Sequence, residues 1–277
     1  MPSSSTAQFF SHYQEDPFVN MAFDEWMLQN VIRTPALFLA RLYTWQIGAI
    51  TFGVNQRQES ALDFRNVGST PVIRRITGGR ALYHDLSEVT YSVALNNADR
   101  DHRPGAFGSS RSDLNASIVR GLSTFLASIG IETNMVRKSS PQNSRPEFFH
   151  KAACFASSAK YEMMSREGKV VASAQRRVVD CLLQHGSIKL AGVALHPALH
   201  LTKGHPETSL KPVDRIRFAK LSELFRIALG QAFQIPLNQT ITASTSSLEI
   251  GAHASHIREF PMSTRETFAQ TPAQISL

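Results

Sequence analysis

Cysteine, long apolar stretches and an N-terminal basic segment are all scarce or missing in this chain of 277 residues. The two cysteines lie far apart in sequence and cannot form a disulfide framework, so we expect a reducing, cytoplasmic location. No apolar run approaches the roughly 18 residues of a membrane-spanning helix, so we expect no membrane insertion. The first lysine or arginine is Arg33, and the N-terminus has no signal-peptide pattern. Neither a secretory signal nor an Arg-rich transit peptide is therefore expected.

Several motifs that would indicate a specific chemistry are also missing. The chain has no GxxxxGK[ST] phosphate-binding loop, no zinc-ligand spacing and no dense Lys/Arg tract. Its net charge is nevertheless +7. A positive field of this size favours acidic partners, but charge alone leaves acidic proteins and nucleic acid both open.

Hydrophobic periodicity predicts an α+β fold with a mixed, largely antiparallel sheet flanked by helices. Alternating or apolar runs predict strands at residues 36–46, 47–54, 71–76, 88–95, 160–164, 169–177 and 182–195. Amphipathic spacing and capping residues predict helices at residues 16–33, 113–130 and 212–233. Because the strands come in consecutive groups with few helices between them, a doubly wound parallel sheet is not expected.

The periodic pattern stops near residue 235. We expect residues 1–235 to form a single domain. Residues 236–277 are rich in Ser and Thr and lack periodicity, which predicts a polar, loosely ordered tail.

The segment RRITGGR, residues 74–80, is a first candidate site. Successive strand residues point to opposite faces, so at least one of Arg74 and Arg75 should be partly buried and should need an anionic partner. Gly78 and Gly79 permit a close approach of the backbone to a ligand. The alternative is a basic edge strand followed by a turn.

Cys154, in the segment KAACFASSAKYE, is a candidate nucleophile. Only a thiolate is an effective nucleophile, and a nearby cation such as Lys169 lowers the pKa of a thiol. That pairing requires the small residues of the segment to fold back as a loop. The alternative is that Cys154 simply packs well, as we expect for Cys181.

Two histidines are candidate site residues that could instead have purely structural roles. His84 precedes Asp85 and could be a capped turn residue, while His185 could be a hydrogen-bonded strand histidine. Neither has a second ligand pair at a metal-binding spacing, so no metal site is expected.

Taken together, six segments carry a resemblance to a known family. They are NMAFDEWML, RLYTWQIGAITFGVNQ, RRITGGRALYHDLSEVTYSV, ACFASSAKYE, GKVVASAQRR and LQHGSI, in this order within residues 18–235. The chain resembles the lipoate–protein ligase and octanoyltransferase superfamily, which shares its catalytic fold with biotin protein ligases. The GRGRxGRxW signature of biotin ligases is missing, and the pattern is most similar to cysteine-dependent octanoyl-[carrier protein]:protein octanoyltransferases.

The resemblance implies roles for particular residues. It makes Cys154 the nucleophile and Lys169 the active-site lysine. The substrate-binding residues that it implies are Arg74, Arg75, Gly78, Gly79, Arg80, His84, Ser173, Ala174 and His185. Ala172 departs from the family's usual glycine, which puts the acyl-chain length in question. Lys189 stands where an apolar residue is usual, and we expect it on the solvent face of its strand.

The resemblance also implies a reaction and its partners. An octanoyl or lipoyl group would pass from acyl carrier protein through a Cys154 thioester to a lysine of a lipoyl-domain protein. The acceptor would be glycine cleavage H protein or a 2-oxoacid dehydrogenase E2 subunit, with no nucleic acid, membrane or cofactor involved. The alternatives are an ATP- and Mg-dependent lipoate–protein ligase, a lipoyl amidotransferase, and a non-enzymatic acyl-protein or nucleic-acid binder.

Overall fold

A computed structural model describes residues 7–35, 37–97, 111–135, 163–166, 168–192, 196–199, 210–239, 250 and 254–255. Its strands are β1 (Ala7–Glu15), β2 (Phe38–Trp45), β3 (Ala49–Phe52), β4 (Val72–Arg74), β5 (Leu82–His84), β6 (Val89–Asn96), β7 (Asn134–Met135), β8 (Met163–Ser165), β9 (Gly168–Val178), β10 (Cys181–Ile188) and β11 (Asn238–Gln239). Its helices are α1 (Pro17–Arg33), α2 (Gln58–Ala61), α3 (Arg111–Ser128) and α4 (Arg215–Phe233), with a 3-10 turn at Phe64–Asn66.

The main sheet has eight strands in the order β11-β1-β2-β6-β10-β9-β8-β7. The pairs β11–β1 and β1–β2 are parallel, whereas every pair from β2 to β7 is antiparallel. A smaller sheet has the order β4-β3-β5. The expected α+β fold with a mixed, largely antiparallel sheet is confirmed. Strand β1 was not anticipated from the sequence.

Helices cover both faces of the main sheet. On one face, α3 and α4 pack on a large apolar cluster that includes Val89, Tyr91, Val93 and Leu95 of β6. These four residues alternate along β6 and share one face, in agreement with the strand predicted at residues 88–95. On the other face, α1 packs on a second cluster that includes Ala94 of the same strand. The sheet is therefore a middle layer, and the polar residues of its central strands β2, β6 and β10 are buried.

The helix predictions are largely confirmed. The apolar residues Leu114, Ile118, Leu122 and Phe125, which follow helical spacing, are buried on α3. Gly130 follows that helix with a φ of +80°, a conformation that glycine adopts without strain. Asp113, where the predicted helix begins, lies in the first turn instead, because the helix already begins at Arg111.

Helix α1 begins as its sequence predicts. The Asp16 carboxylate accepts hydrogen bonds from the backbone N–H groups of Phe18 (2.9 Å) and Val19 (3.2 Å), and Pro17 occupies the first turn. Met21 on this helix is buried. So is Asp24, one turn further along, which places a carboxylate inside the protein.

The smaller sheet is held by its own apolar cluster. The members of this cluster are Ile50, Phe52, Ala61, Leu62, Ala81, Ala198 and Leu199. The cluster fixes β3 and β5, and these strands carry Thr51 and His84 toward the main sheet. The smaller sheet thus forms one wall of a cleft whose other wall is the main sheet.

Parts of the segment after residue 236 also contact the domain. Asn238 pairs with Gln8, which adds β11 to the edge of the main sheet. Ile250 and Ala254 belong to the apolar cluster under α1. The predicted domain boundary and loosely ordered tail stay predictions. Among the helices of the described ranges, none combines the length and hydropathy needed to cross a bilayer.

Candidate active site

A cleft of about 330 Å³, including its open mouth, lies between the two sheets and α1. Its lining residues are Met21, Tyr43, Thr51, Arg75, Leu82, His84, Thr90, Ala172, Ser173, Ala174, His185, Gly186 and Ser187. The lining of the cleft therefore combines apolar side chains with a few hydroxyl groups, two histidines and one arginine.

Arg75 joins the cleft to the glycine pair. It is only 6% exposed, and its guanidinium donates to the carbonyl oxygen of Gly78 from Nε (3.2 Å) and Nη2 (2.8 Å). Nη2 also donates to the carbonyl oxygen of Arg80 (2.9 Å), and Nη1 donates to Thr51 Oγ1 (3.3 Å). The prediction that one of the two arginines is buried is confirmed. These neutral acceptors hold the 78–80 loop against the cleft.

The glycine loop approaches its neighbours closely. Gly79 has a φ of +94°, and a Cβ atom added there would lie 2.7 Å from Arg75 Nη2 and 3.6 Å from the Ala174 Cβ. A Cβ atom added at Gly53 would lie 2.2 Å from the Gly79 carbonyl oxygen. Both positions favour glycine, because a Cβ atom at Gly53 would collide with the backbone of the loop and Gly79 has a positive φ that other residues rarely adopt.

His84 belongs to the first of two buried charge clusters, which we call the Glu88 cluster. Its Nδ1 lies 2.7 Å from Glu88 Oε1, and its Nε2 lies 2.9 Å from Thr51 Oγ1. Burial lowers the pKa of His84, whereas Lys189 and His84 outweigh burial and lower the pKa of Glu88 to about 2. An ionised Glu88 only accepts, so the proton in this contact lies on His84 Nδ1, and burial favours the neutral form of the ring.

The same carboxylate contacts further residues of the cleft. Thr90 Oγ1 donates to Glu88 Oε1 (2.9 Å), and Ser187 Oγ donates to Glu88 Oε2 (2.8 Å). Lys189 Nζ also donates to Glu88 Oε2 and, at 2.8 Å, to Asp85 Oδ2. Burial opposes the charge on Lys189, but the two carboxylates outweigh it and raise the pKa of this lysine.

His185 belongs to the second cluster, which we call the Asp24 cluster. Its Nδ1 lies 2.7 Å from Asp24 Oδ2 and its Nε2 lies 2.6 Å from Thr77 Oγ1. Asp24 also accepts from Ser92 Oγ (2.6 Å) and Tyr43 Oη (3.1 Å). Burial raises the pKa of Asp24, but the hydrogen bonds and cations around it dominate and lower that pKa overall.

Arg41 supplies the cation of the Asp24 cluster. Its Nη1 lies 3.4 Å from Asp24 Oδ1, and the side chain is fully buried. Nε donates to His12 Nδ1 (2.7 Å), and Nη2 donates to Asn20 Oδ1 (2.6 Å). The guanidinium also lies over the ring of Tyr43, 4.0 Å from its centroid. Each guanidinium nitrogen thus has a directed partner.

The structure brings together five of the residues that sequence reasoning singled out. Arg75, His84, Ser173, Ala174 and His185 all line the cleft, and Ser173 Oγ bonds Tyr91 Oη at 2.8 Å. Gly78 and Gly79 adjoin the cleft through Arg75 and Ala174.

Other predicted site residues lie outside this lining or outside the described residues. Arg74 is exposed and donates to the carbonyl oxygens of Val54 and Gln56, while Arg80 is half-buried. Lys169 is buried on β9, three residues before the cleft residue Ala172. Cys154 lies outside the described residues, so its role stays a prediction.

Cys181 is buried, as expected for a packing residue. Its Sγ lies 3.6 Å from the Val31 carbonyl oxygen, and burial followed by the Asp180 charge raises the pKa of the thiol. A raised pKa disfavours the thiolate. Within the described residues, no group of three or more His, Cys, Asp or Glu side chains is arranged to hold a metal ion.

One expectation was wrong. Lys189 was expected on the solvent face of its strand, but it is 4% exposed and paired with Asp85 and Glu88. Sequence reasoning also missed Asp24, Glu88 and Arg41. A signal was available, because Arg41 interrupts a run of apolar residues in β2 and must therefore find a buried partner.

Comparisons with known proteins agree with this architecture. The family model described as the lipoyl protein ligase A/B catalytic domain matches residues 16–241. Two solved structures share the fold: a bipartite lipoate protein ligase from Thermoplasma acidophilum and a lipoate-protein ligase A bound with ATP. The first has a TM-score of 0.63 at 14% identity and covers 95% of this chain and 96% of that chain. The second has a TM-score of 0.62 at 15% identity, with 92% and 94% covered.

Relatives named octanoyltransferase LipM match part of the chain. That of Kyrpidia tusciae is 35% identical over 173 residues, which is 62% of this chain and 61% of the relative. That of Staphylococcus aureus is 30% identical over 188 residues, 67% of this chain and 66% of the relative. The match spans less than two thirds of these relatives' length. Since the family model covers most of the chain, the chain belongs to the lipoyl protein ligase A/B catalytic domain family.

Proposed function

We propose that the protein transfers an octanoyl or lipoyl group from acyl carrier protein to a lysine of a lipoyl-domain protein, as a step in lipoate cofactor synthesis. The observation that carries the proposal is the cleft, in which five residues expected for this chemistry converge. The relatives' printed name, octanoyltransferase, agrees with it. A glycine cleavage H protein or a dehydrogenase E2 subunit is the proposed acceptor.

The cleft has the surface that an acyl chain needs. Met21, Leu82, Ala172 and Ala174 supply apolar side chains, and Gly186 lies between them without a side chain of its own. A Cβ atom added at Gly186 would lie 2.7 Å from both the Ala172 carbonyl oxygen and the Tyr91 ring, so the strands are already in close contact there. Each methylene of a bound chain that leaves water contributes about 0.8 kcal/mol.

The proposed reaction has two acyl transfers. The Cys154 thiolate attacks the carbonyl carbon of the octanoyl thioester, a new C–S bond forms, and the carrier thiolate leaves. The amine of the acceptor lysine then attacks the same carbon, an amide C–N bond forms, and the Cys154 thiolate leaves as the amine gives up a proton. The first step exchanges one thioester for another and the second runs downhill to the amide, so ATP is not required.

We assign two supporting roles in this scheme. Lys169 would favour the thiolate, because a nearby cation lowers the pKa of a thiol. Backbone N–H groups of the Gly78–Gly79 loop, which Arg75 holds in place, or of Lys169 would stabilise the oxyanion that forms in each step.

The rival activities differ in what they require. A lipoate–protein ligase activates free lipoate with ATP and Mg, and an amidotransferase takes its acyl group from another lipoyl domain. A binding protein transfers nothing. Likeness to solved ligase structures shows the fold alone and does not separate these activities.

The test is acylation of a lipoyl domain, measured by its intact mass. One reaction contains octanoyl-acyl carrier protein without ATP, a second contains lipoate with Mg-ATP, and a third contains an octanoylated H protein as donor. The proposal predicts product in the first reaction. Product only in the second or third would assign the ligase or amidotransferase activity instead.

Two cysteine variants make the test sharper. Cys154→Ser should abolish transfer, whereas the matched variant Cys181→Ser should retain it, because that thiol is buried with a raised pKa. Full activity of Cys154→Ser would contradict the covalent mechanism.

A further inference from the structure

We propose that Lys189 is a positioning residue for acyl transfer, because it acts through Glu88 to orient three side chains of the cleft wall. This inference rests on the proposed function. Lys189 itself is not a lining residue of the cleft, whereas Thr90, Ser187 and His84 are.

The geometry makes Glu88 a common anchor. Its side chain is fully buried, and its two oxygens accept hydrogen bonds from His84 Nδ1, Thr90 Oγ1 and Ser187 Oγ at 2.7 to 2.9 Å. Lys189 Nζ donates to the same carboxylate. A single buried carboxylate therefore orients the hydrogen-bond donors of three residues in the cleft wall.

The effect extends from Glu88 to the glycine loop. An ionised carboxylate only accepts, so His84 must carry its proton on Nδ1 and leave Nε2 as an acceptor. The Thr51 hydroxyl then donates to Nε2 (2.9 Å), and its oxygen is left to accept from Arg75 Nη1 (3.3 Å). Arg75 in turn holds the carbonyl oxygen of Gly78. The donor direction is thus the same from Arg75 through Thr51 and His84 to Glu88.

Lys189 is the main cation that sustains this arrangement. Among the described residues, the titratable and charged groups around Glu88 are His84 and Tyr83 from β5, Asp85 from the turn after β5, and Lys189 directly after β10, with Arg75 beyond His84. Burial raises the pKa of Glu88, and Lys189 is the largest influence that lowers it. Without the lysine, Glu88 would bind a proton more readily and would donate one hydrogen bond that it now accepts.

The first experiment compares kcat/KM for octanoyl transfer against pH in three variants. Lys189→Met removes the charge but keeps much of the length, Lys189→Arg keeps the charge, and Lys220→Met makes the same change at an exposed lysine of α4. We expect Lys189→Met to lose about 10- to 100-fold at neutral pH, as misplaced catalytic groups do. Its activity should recover as pH rises, because a higher pH ionises Glu88 again. Lys189→Arg and Lys220→Met should follow the wild-type profile.

A second readout does not depend on activity. Nitrogen-15 chemical shifts of the His84 ring, assigned by comparison with His84→Gln, report which ring nitrogen carries the proton. We expect the Nδ1–H form in the wild type and a shift away from it in Lys189→Met. If wild-type protein transfers no acyl group, the proposed function fails, and the ring shifts still decide whether Lys189 acts on His84.

A folding defect would not leave the inference untested. The double variant Lys189→Met/Asp85→Asn removes one buried charge of each sign. It therefore leaves less uncompensated charge than Lys189→Met alone, and Glu88 still loses its contact with the lysine. The same ring shift is expected in this double variant. An unchanged His84 tautomer together with an unchanged pH profile would overturn the inference. So would equal losses in Lys189→Met and Lys189→Arg at every pH, because these would indicate a packing role.

Discussion

The Asp24 and Glu88 clusters place the same three kinds of group behind the cleft but are built differently. In each, a buried carboxylate lies 2.7 Å from a histidine Nδ1 and pairs with a buried cation. Asp24 faces an arginine that cannot give up its proton and that is held by several further acceptors. Glu88 shares a lysine with Asp85. Among the described residues, Asp24 is the carboxylate that hydrogen-bonds Arg41, with a smaller electrostatic contribution from Glu15, whereas Lys189 has two carboxylates within hydrogen-bond distance.

The largest expected effect comes from Asp24→Asn. This change leaves Arg41 buried without its carboxylate, and breaking a buried ion pair from one side costs about 3–5 kcal/mol of unfolding free energy. Urea denaturation followed by tryptophan fluorescence measures it, with comparison at equal m-values. A loss below 1 kcal/mol would mean that the neutral acceptors around Arg41 suffice.

The same chemical change in the other cluster, Glu88→Gln, should cost less. Lys189 keeps Asp85 as an ionic partner at 2.8 Å, so the loss is that of hydrogen bonds within a buried network, about 1–3 kcal/mol. The identical urea experiment gives the comparison. A loss equal to that of Asp24→Asn would show that Asp85 does not make up for the missing charge of Glu88 beside Lys189.

A third prediction concerns the pH dependence of stability. Burial, followed by the charge of Arg41, lowers the pKa of His12 to about 2, compared with an ordinary value of 6.5. The unfolded chain therefore binds a proton below pH 6.5 that the folded protein does not, and stability falls as the pH decreases from there. His12→Asn keeps an acceptor for Arg41 but cannot titrate.

The slope of unfolding free energy against pH, measured between pH 6 and 4 by urea denaturation, should therefore be smaller in His12→Asn by up to about 1.4 kcal/mol per pH unit. His84→Asn should reduce the slope less, because Glu88 offsets part of the burial effect on His84. Parallel wild-type and His12→Asn curves would contradict the account of the Asp24 cluster.

The smallest effect is expected from Glu223→Gln on α4. Glu223 pairs with Arg226 one turn away, but its side chain is 48% exposed and solvent screens the pair. The expected change is a few tenths of a kcal/mol in urea denaturation. This variant is the surface reference for both buried clusters. A loss above 1 kcal/mol would mean that the losses measured in the two clusters cannot be attributed to burial.

The sequence predicts the framework better than the site because periodicity is local and charge pairing is not. The common face of Val89, Tyr91, Val93 and Leu95 follows from alternation within eight residues. Lys189 meets Asp85 across 104 positions and Arg41 meets Asp24 across 17, and no local pattern contains either pairing. Lys189 was placed on the wrong side of its strand for this reason.

The glycine loop illustrates an intermediate case. GGR indicates a close backbone approach, and Gly79 does adopt a positive φ. The sequence does not indicate that Arg75, rather than a ligand, occupies the space next to it.

The measurement that tests the central claim most directly is the intact mass of the protein after mixing with octanoyl-acyl carrier protein, without ATP and without an acceptor. The account predicts one added octanoyl group, removable by hydroxylamine, mapped to Cys154 and absent from Cys154→Ser but present in Cys181→Ser. An unmodified protein that nevertheless acylates a lipoyl domain, or an adduct at another residue, would contradict the proposed thioester mechanism.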